Sequence, residues 1–170
     1  AVETTLQLPA ELSRDMLAAL QARRADGMET GVLVFGRLPL ALSARCFTAR
    51  AHHLPKDECE FRCRDYPDGL PLATREGQRF LTINGIQTQS GSTSCLVAEL
   101  PELRAIGVDV LRLSPQAHGM HEIVQVFREA LDGRLTPTAA EARIAVHMPD
   151  GACNGYWRGE PGMAWQPHVD

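Results

Sequence analysis

Extended and helical segments alternate along the chain, which predicts an α/β fold built on a parallel sheet. Three stretches carry that reading. Residues 31–35 (Gly-Val-Leu-Val-Phe) form a continuous apolar run, the pattern of a strand covered on both faces. Residues 108–113 (Val-Asp-Val-Leu-Arg-Leu) make a second strand, ended by Ser114-Pro115. Residues 119–132 place Met120, Ile123, Val124, Phe127 and Leu131 at helical spacing, with Gly133 at the end. With a short strand near the N-terminus, three parallel strands are expected, each buried by helices. Three strands leave two raw edges, so the sheet reads as part of a barrel or of a doubly wound sheet.

The remaining elements follow in order. Residues 4–8 (Thr-Thr-Leu-Gln-Leu) are the short strand, stopped by Pro9. Residues 11–24 predict a helix with Leu12, Met16, Leu17 and Leu20 as its apolar stripe, and Gly27 as the stop signal. Gly36 breaks the second strand. Residues 38–44 (Leu-Pro-Leu-Ala-Leu-Ser-Ala) then predict a short helix with Pro39 in its first turn. From Cys46 to Gly69 charges, adjacent histidines and Pro67-Asp68-Gly69 replace any periodicity. Long irregular segments inside compact domains are usually functional or disordered. Residues 71–75 and 79–86 flank Glu76-Gly77 as a small hairpin insert. Residues 95–106 read as a helix interrupted at Pro101 and closed by Gly107, and a last helix starts near Thr138, where Thr138 and Glu141 suit a capping box. The tail from Pro149 holds both tryptophans and is expected to wrap a surface.

Composition narrows the function. Hydrophobic residues at 44% and charged residues at 22% are ordinary for a globular chain, which argues against disorder. No stretch nears the roughly 18 apolar residues of a spanning helix. A net charge of −4 and a pI of about 5.9 lack the basic footprint of a nucleic-acid binder. Lys56 is the one lysine among 17 basic residues; the arginines are scattered, as a compositional habit would leave them. The chain opens at Ala1 with no basic n-region and apolar h-region, so no signal peptide is expected. Residues 1–170 fit a single domain by size.

The five cysteines are an odd number, so disulfides cannot pair them all. Clustered thiols in a reducing compartment are more often metal-binding or catalytic than disulfide-bonded, which makes the expected location cytoplasmic. Cys46-x12-Cys59-x3-Cys63 is the sharpest feature, three soft ligands for iron or zinc on one segment. The spacing matches neither compact ferredoxin runs nor a paired zinc ribbon. Three unrelated cysteines, or a reactive thiol, stay open beside a metal site. His52 and His53 could supply a zinc ligand, but an exposed loop pair explains them as well. At strand ends, Asn84, Gln87, Arg112 and Ser114 are candidates for a substrate pocket.

The stretch Phe35-Gly36-Arg37-Leu38-Pro39-Leu40-Ala41-Leu42-Ser43-Ala44-Arg45-Cys46-Phe47-Thr48-Ala49-Arg50 resembles the UbiV-like, ubiquinone-biosynthesis branch of the collagenase-like peptidase family. The likeness continues through His53 to Asp57, Cys59, Phe61-Arg62-Cys63, Asp68-Gly69-Leu70, Arg75 to Gln78, Asn84 to Thr88, Gly107 to Pro115 and Cys153 to Trp157. It implies the C-terminal half of a (β/α) TIM-like barrel, within a longer chain. It also implies a 4Fe-4S cluster held by four cysteines, three of them matching Cys46, Cys59 and Cys63. The fourth family ligand belongs to an N-terminal half; Cys95 and Cys153 are the only local substitutes. Implied partners are a UbiU-like protein, as a heterodimer, and a lipid-carrier accessory protein. The implied role is oxygen-independent hydroxylation in ubiquinone biosynthesis. A zinc-binding or structural thiolate module, or a peptidase, are the alternatives. Peptidase-like members carry a cysteine near the position of Pro39, and neither that thiol, a Ser/His/Asp arrangement nor an H-E-x-x-H motif is visible here.

Overall fold

The computed structural model describes residues 5–168. Thr4, the first residue of the predicted 4–8 strand, lies outside them. One mixed sheet of seven strands organises the chain. Its order is β1 (Thr5–Gln7), β2 (Glu29–Leu42), β5 (Gln87–Cys95), β4 (Arg79–Asn84) and β3 (Leu70–Ala73). Two more strands join off that path: β6 (Val110–Leu113) on β2, and β7 (Ala152–Cys153) on β5. The helices are α1 (Arg14–Gln21), α2 (Phe47–Ala51), α3 (Leu100–Ile106), α4 (Met120–Leu131) and α5 (Pro137–Ile144).

β2 has three neighbours. Its first half lies parallel to β1 (Thr5↔Glu29) and to β6 (Leu33↔Arg112). Its second half turns away and pairs antiparallel with β5, from Phe35↔Cys95 to Leu42↔Gln87. The three parallel strands expected from the sequence are therefore β1, β2 and β6, and the rest of the sheet is an antiparallel meander.

The starts of the parallel strands are clamped by one carboxylate. Asp109, just before β6, accepts from the Thr30 backbone N–H at 2.8 Å and from the Arg24 guanidinium. Those hydrogen bonds hold its carboxyl below the usual range, the backbone one contributing most. Gln21 at the end of α1 donates to the Gly107 carbonyl at 2.6 Å, so helix and strand ends share one corner.

The helices cover one face of the sheet, not both. Val32 and Val34 of β2 pack with Leu17, Leu103, Ile123, Phe127 and Ile144, drawn from α1, α3, α4 and α5. Phe35 and Phe127 meet edge to face, with ring centroids 6.1 Å apart. On the opposite face, among the described residues, Leu33, Leu38 and Cys153 form a small buried cluster. A run buried on both sides was expected at 31–35. It is buried, but one cover is a helix layer and the other a thin patch beside polar cavities.

Several expected elements are corrected. Residues 38–44 are not a helix; β2 runs through them to Leu42, because β5 supplies a partner ladder and Pro39 sits at a register irregularity where no amide is required. Residues 95–99 are not helical either. Cys95 ends β5, α3 starts at Leu100, and Pro101 occupies the first turn, where a missing N–H costs nothing. The last helix starts at Pro137 with Thr136 as its cap, donated to by the Ala139 N–H at 3.2 Å, so Thr138 lies inside it. Glu141 instead accepts from the His168 N–H at 3.2 Å. In α1 only Leu17 is buried, while Met16 and Leu20 are exposed. In α4 Val126 takes the buried place expected of Val124.

The tail is fixed by a buried polar cluster. Glu99 is 1% exposed; its Oε1 accepts from Arg158 at 2.9 Å and from Asn154 at 3.3 Å. Asn154 also exchanges two hydrogen bonds with the Gln166 backbone, at 2.8 and 2.9 Å. Glycine is required at 155, since a Cβ there would sit 1.8 Å from the Pro161 carbonyl oxygen. Trp157 is buried in the core, whereas Trp165 remains exposed.

Two outcomes follow. Phe127→Ala should lower stability by about 3–5 kcal/mol in urea unfolding, because it empties the centre of the helix layer. Burial pushes the Glu99 carboxyl up, against the opposing pull of Arg158. The folded chain then holds that proton to higher pH than the unfolded one, so stability falls as pH rises from the ordinary glutamate range through the raised value. Glu99→Gln should flatten that part of the stability–pH curve; an unchanged slope would show that Glu99 titrates normally.

Candidate functional site

Two regions gather chemistry, both beyond the C-terminal ends of the parallel strands, the side on which α/β sheets place their sites. The first is the cysteine segment that follows β2. Its start is pinned to the β4–β5 turn: Ser43 N–H donates to the Ile86 carbonyl at 2.9 Å and Phe47 N–H to Gly85 at 3.0 Å. The Thr48 hydroxyl accepts from Gly85 N–H at 3.1 Å. Cys46 caps α2, its Sγ accepting from Ala49 N–H at 3.4 Å. Cys59 ends the 3-10 turn Lys56–Glu58, and Cys63 lies inside a second, Arg62–Asp65.

All three thiols are free and half-buried. The backbone that holds them is strained. His53, Glu60 and Phe61 have φ of 58°, 52° and 53°, and they are the only non-glycine residues with positive φ among the described residues. His52 stacks loosely on Tyr66, 5.7 Å between centroids, and Arg64 lies 5.1 Å over the exposed Phe61 ring. The donor chemistry suits a soft metal or an iron–sulfur cluster. The side chains do not converge into a closed shell: among the described residues no three of His, Cys, Asp and Glu form a group that could hold a metal ion. Cys46, Cys59 and Cys63 are thus available ligands on one segment rather than an assembled site.

The second region is a polar cleft on the face that the helices leave open. It consists of two adjoining cavities, of about 320 and 260 Å³. The candidate residues meet there: Asn84, Gln87 and Ser114 line the first, and Gln87, Arg112 and Ser114 the second. Close approach of two strands shapes it. Gly36 has φ +125°, and a Cβ on it would lie 2.4 Å from Ser114 Cβ, while Ser114 N–H donates to the Phe35 carbonyl at 2.8 Å. Only glycine lets β2 bend past the end of β6 here.

Sequence reasoning missed Arg37, Gln89 and Asp150 of the cleft, and Arg79 beside it. Arg37 reaches Asp150 at 2.5 Å and the Ser90 carbonyl at 3.1 Å. Arg79 holds the other oxygen of Asp150 at 3.1 Å. Gln89 Nε2 donates to Gln87 Oε1 at 3.0 Å across the cleft wall. Gly36, next to Arg37, was the one signal available; nothing in the sequence ties Asp150 or Gln89 to the site.

Residues 4–166 match the model of peptidase family U32. The chain belongs to that family. No solved structure matches it. Among the described residues of this U32 chain, no helix is long and apolar enough to cross a membrane. Pro39 of the family stretch is exposed on β2 and carries no thiol.

Cys95 and Cys153 stand apart from the segment. Both are buried, and burial pushes the Cys95 thiol up to about 12 and the Cys153 thiol in the same direction. In the folded, metal-free chain an aromatic disulfide reagent at mildly alkaline pH should therefore titrate three thiols, with the two others reacting only after denaturation. Peptide mapping should find the label on Cys46, Cys59 and Cys63; native labelling of Cys95 would contradict the packing around it.

Proposed function

We propose that this U32 chain is the 4Fe-4S-carrying part of a UbiV-like accessory subunit. It acts with a UbiU-like partner in oxygen-independent hydroxylation during ubiquinone biosynthesis. The observation that carries the proposal is the segment Cys46-x12-Cys59-x3-Cys63, three free, half-buried thiols placed directly beyond β2. Cys46, Cys59 and Cys63 hold the cluster as thiolates, and a ligand from outside this chain completes the set. A bound cluster supplies one-electron transfer. The reducing compartment that keeps such thiols free is the cytoplasm.

On this reading β1, β2 and β6 are a sector of a TIM-like barrel, and the missing strands belong to a preceding half. The sheet face bearing Leu33 and Arg112 is then the barrel interior, and the polar cleft at Asn84, Gln87, Arg112 and Ser114 is where substrate sits. A lipid-carrier accessory protein delivers the apolar precursor. Proteolysis has less to support it despite the family name, because the stretch around Gly36 and Pro39 offers no nucleophilic thiol.

Iron and acid-labile sulfide measured after anaerobic purification test the assignment. Wild type should carry both. Cys59→Ala and Cys63→Ala should each lose most of the iron while keeping the far-ultraviolet dichroism of the folded chain. Stoichiometric zinc without sulfide would replace the cluster reading with that of a zinc module.

A further inference from the structure

We propose that the tail is a lid: Asn154 latches Trp165 over a cavity behind the sheet, and release of the latch opens that cavity, with the Cys95 thiol that lines it, to solvent. The inference is independent of what the cysteine segment binds.

The cavity, of about 330 Å³, lies on the helix side of the sheet, away from the face that bears Leu33. Cys95 at the end of β5 and Met148 just beyond α5 line it, and both belong to the core under the helices. They form its inner wall, where Cys95 is 1% exposed. Glu141 of α5 and Ala152 of β7 stand at the sides. Trp165 forms the outer wall. It is 37% exposed, so its indole lines the cavity and also meets water.

Trp165 sits between the two residues that Asn154 holds. The Asn154 N–H donates to the Ala164 carbonyl at 3.0 Å. Its side chain donates to the Gln166 carbonyl at 2.8 Å and accepts from the Gln166 N–H at 2.9 Å. Glu99 sets which end of the amide faces which group. Its Oε1 takes one Nδ2 proton at 3.3 Å, the Gln166 carbonyl takes the other, and Oδ1 is left for the Gln166 N–H. Asn154 is buried, so the latch is anchored in the body of the chain.

The part it holds is lightly built. Among the described residues, none after Cys153 lies in a helix or strand. Gln166 and His168 are tied by the side chains of Asn154 and Glu141 rather than by a ladder, and Pro161 and Pro167 have no N–H to offer. Segments with little burial and few backbone hydrogen bonds open at low free energy. Opening residues 164–168 removes the outer wall while Asn154, Glu99 and the core stay in place. The other face of the sheet supplies a control. Cys153 precedes Asn154 and is buried, but it lies in the Leu33 and Leu38 cluster and does not line this cavity. A lid governs access to Cys95 alone, whereas loosening of the whole tail root exposes both thiols.

The test follows iodoacetamide modification of the folded chain at one mildly alkaline pH, read separately on the Cys95 and Cys153 peptides by mass spectrometry. Modification of a shielded thiol tracks the population of the open form, so Trp165→Ala should speed reaction at Cys95 about tenfold or more and leave Cys153 at the wild-type rate. Trp165 lies outside the buried core, so this variant should keep the urea midpoint. Trp165→Phe, which retains an aromatic cover, should stay close to wild type. Asn154→Ala should speed Cys95 more than Cys153 and shift the tryptophan emission to the red. An unchanged Cys95 rate in Trp165→Ala overturns the proposal, because the indole then covers nothing. Equal acceleration at Cys95 and Cys153 overturns it as well, because the tail is then part of the fold and no lid. Wild-type protection of Cys95 in folded Asn154→Ala removes Asn154 as the latch, and Trp165→Ala decides the lid on its own whether or not Asn154→Ala folds.

Discussion

Everything distinctive in this chain depends on β2 serving the parallel and the antiparallel halves of one sheet at once. A strand of fourteen residues is long for a small domain, and this one changes partners halfway. Up to Phe35 it is the middle of a parallel trio; from Phe35 onward it is one arm of an antiparallel ladder with β5. The change occurs at Gly36, where Ser114 presses so close that no side chain fits. A parallel strand ordinarily ends where a loop begins. Here the ladder continues outward and carries the following segment away from the core. The cysteine segment therefore begins at the far end of a rigid arm, and the polar cleft lies at the crossing point.

The crossing also explains why the cleft is polar. Ser90, Thr93 and Ser94 of β5 are buried without an apolar neighbour on each side. Their backbone groups are used by the ladders to β2, β4 and β7, and the Ser90 hydroxyl accepts from Leu38 N–H at 2.9 Å while donating to the Ser92 carbonyl. A strand satisfied in this way can be buried without hydrophobic side chains. Arg37 can then lie against it and reach Asp150 with most of its donors occupied, which prevents its charge from being stranded in a half-dry wall. Arg112, on the adjacent strand, lines the smaller cavity beside it.

What could be read in advance divides along the same line. The parallel trio was legible because Val32, Leu33, Val34 and Phe35 on one side and Leu111 and Leu113 on the other are apolar enough to announce buried strands. Gly107 and Gly133 marked helix ends correctly, each adopting a left-handed φ there. The antiparallel half was not legible. Gln-Thr-Gln-Ser-Gly-Ser-Thr-Ser lacks the alternation that identifies a half-buried strand, and it is ordered by partners distant in sequence. Residues 38–42 failed for the complementary reason: Leu38, Leu40 and Leu42 alternate as a strand should, but Pro39 suggested a helix start, and only the presence of β5 decides between them. Among the cleft residues, Asn84, Gln87, Arg112 and Ser114 were visible as polar residues at strand ends. Arg37 and Asp150, 113 positions apart, become a pair only through the tertiary fold.

The cysteine segment poses a different problem, one of local stability. Between Cys46 and Asp65 the longest element is the five-residue α2, and the two 3-10 turns bury no residue of their own. Three non-glycine residues there occupy left-handed conformations, each costing on the order of 1–3 kcal/mol. Thr48 and Ala49, tucked against the β4–β5 turn, anchor only its beginning. A strained segment with so little burial needs an additional source of free energy to persist as a single conformation. Ligation of Cys46, Cys59 and Cys63 to one centre would supply it, since metal–thiolate bonds contribute directly to folding where the apolar core cannot. The strain at Glu60 and Phe61 falls between the second and third ligands, where a chain forced to turn two thiols toward a common point must bend most sharply. Under the proposed function, ligation would draw together three half-buried thiols that start apart, from where the rigid arm of β2 delivers their segment.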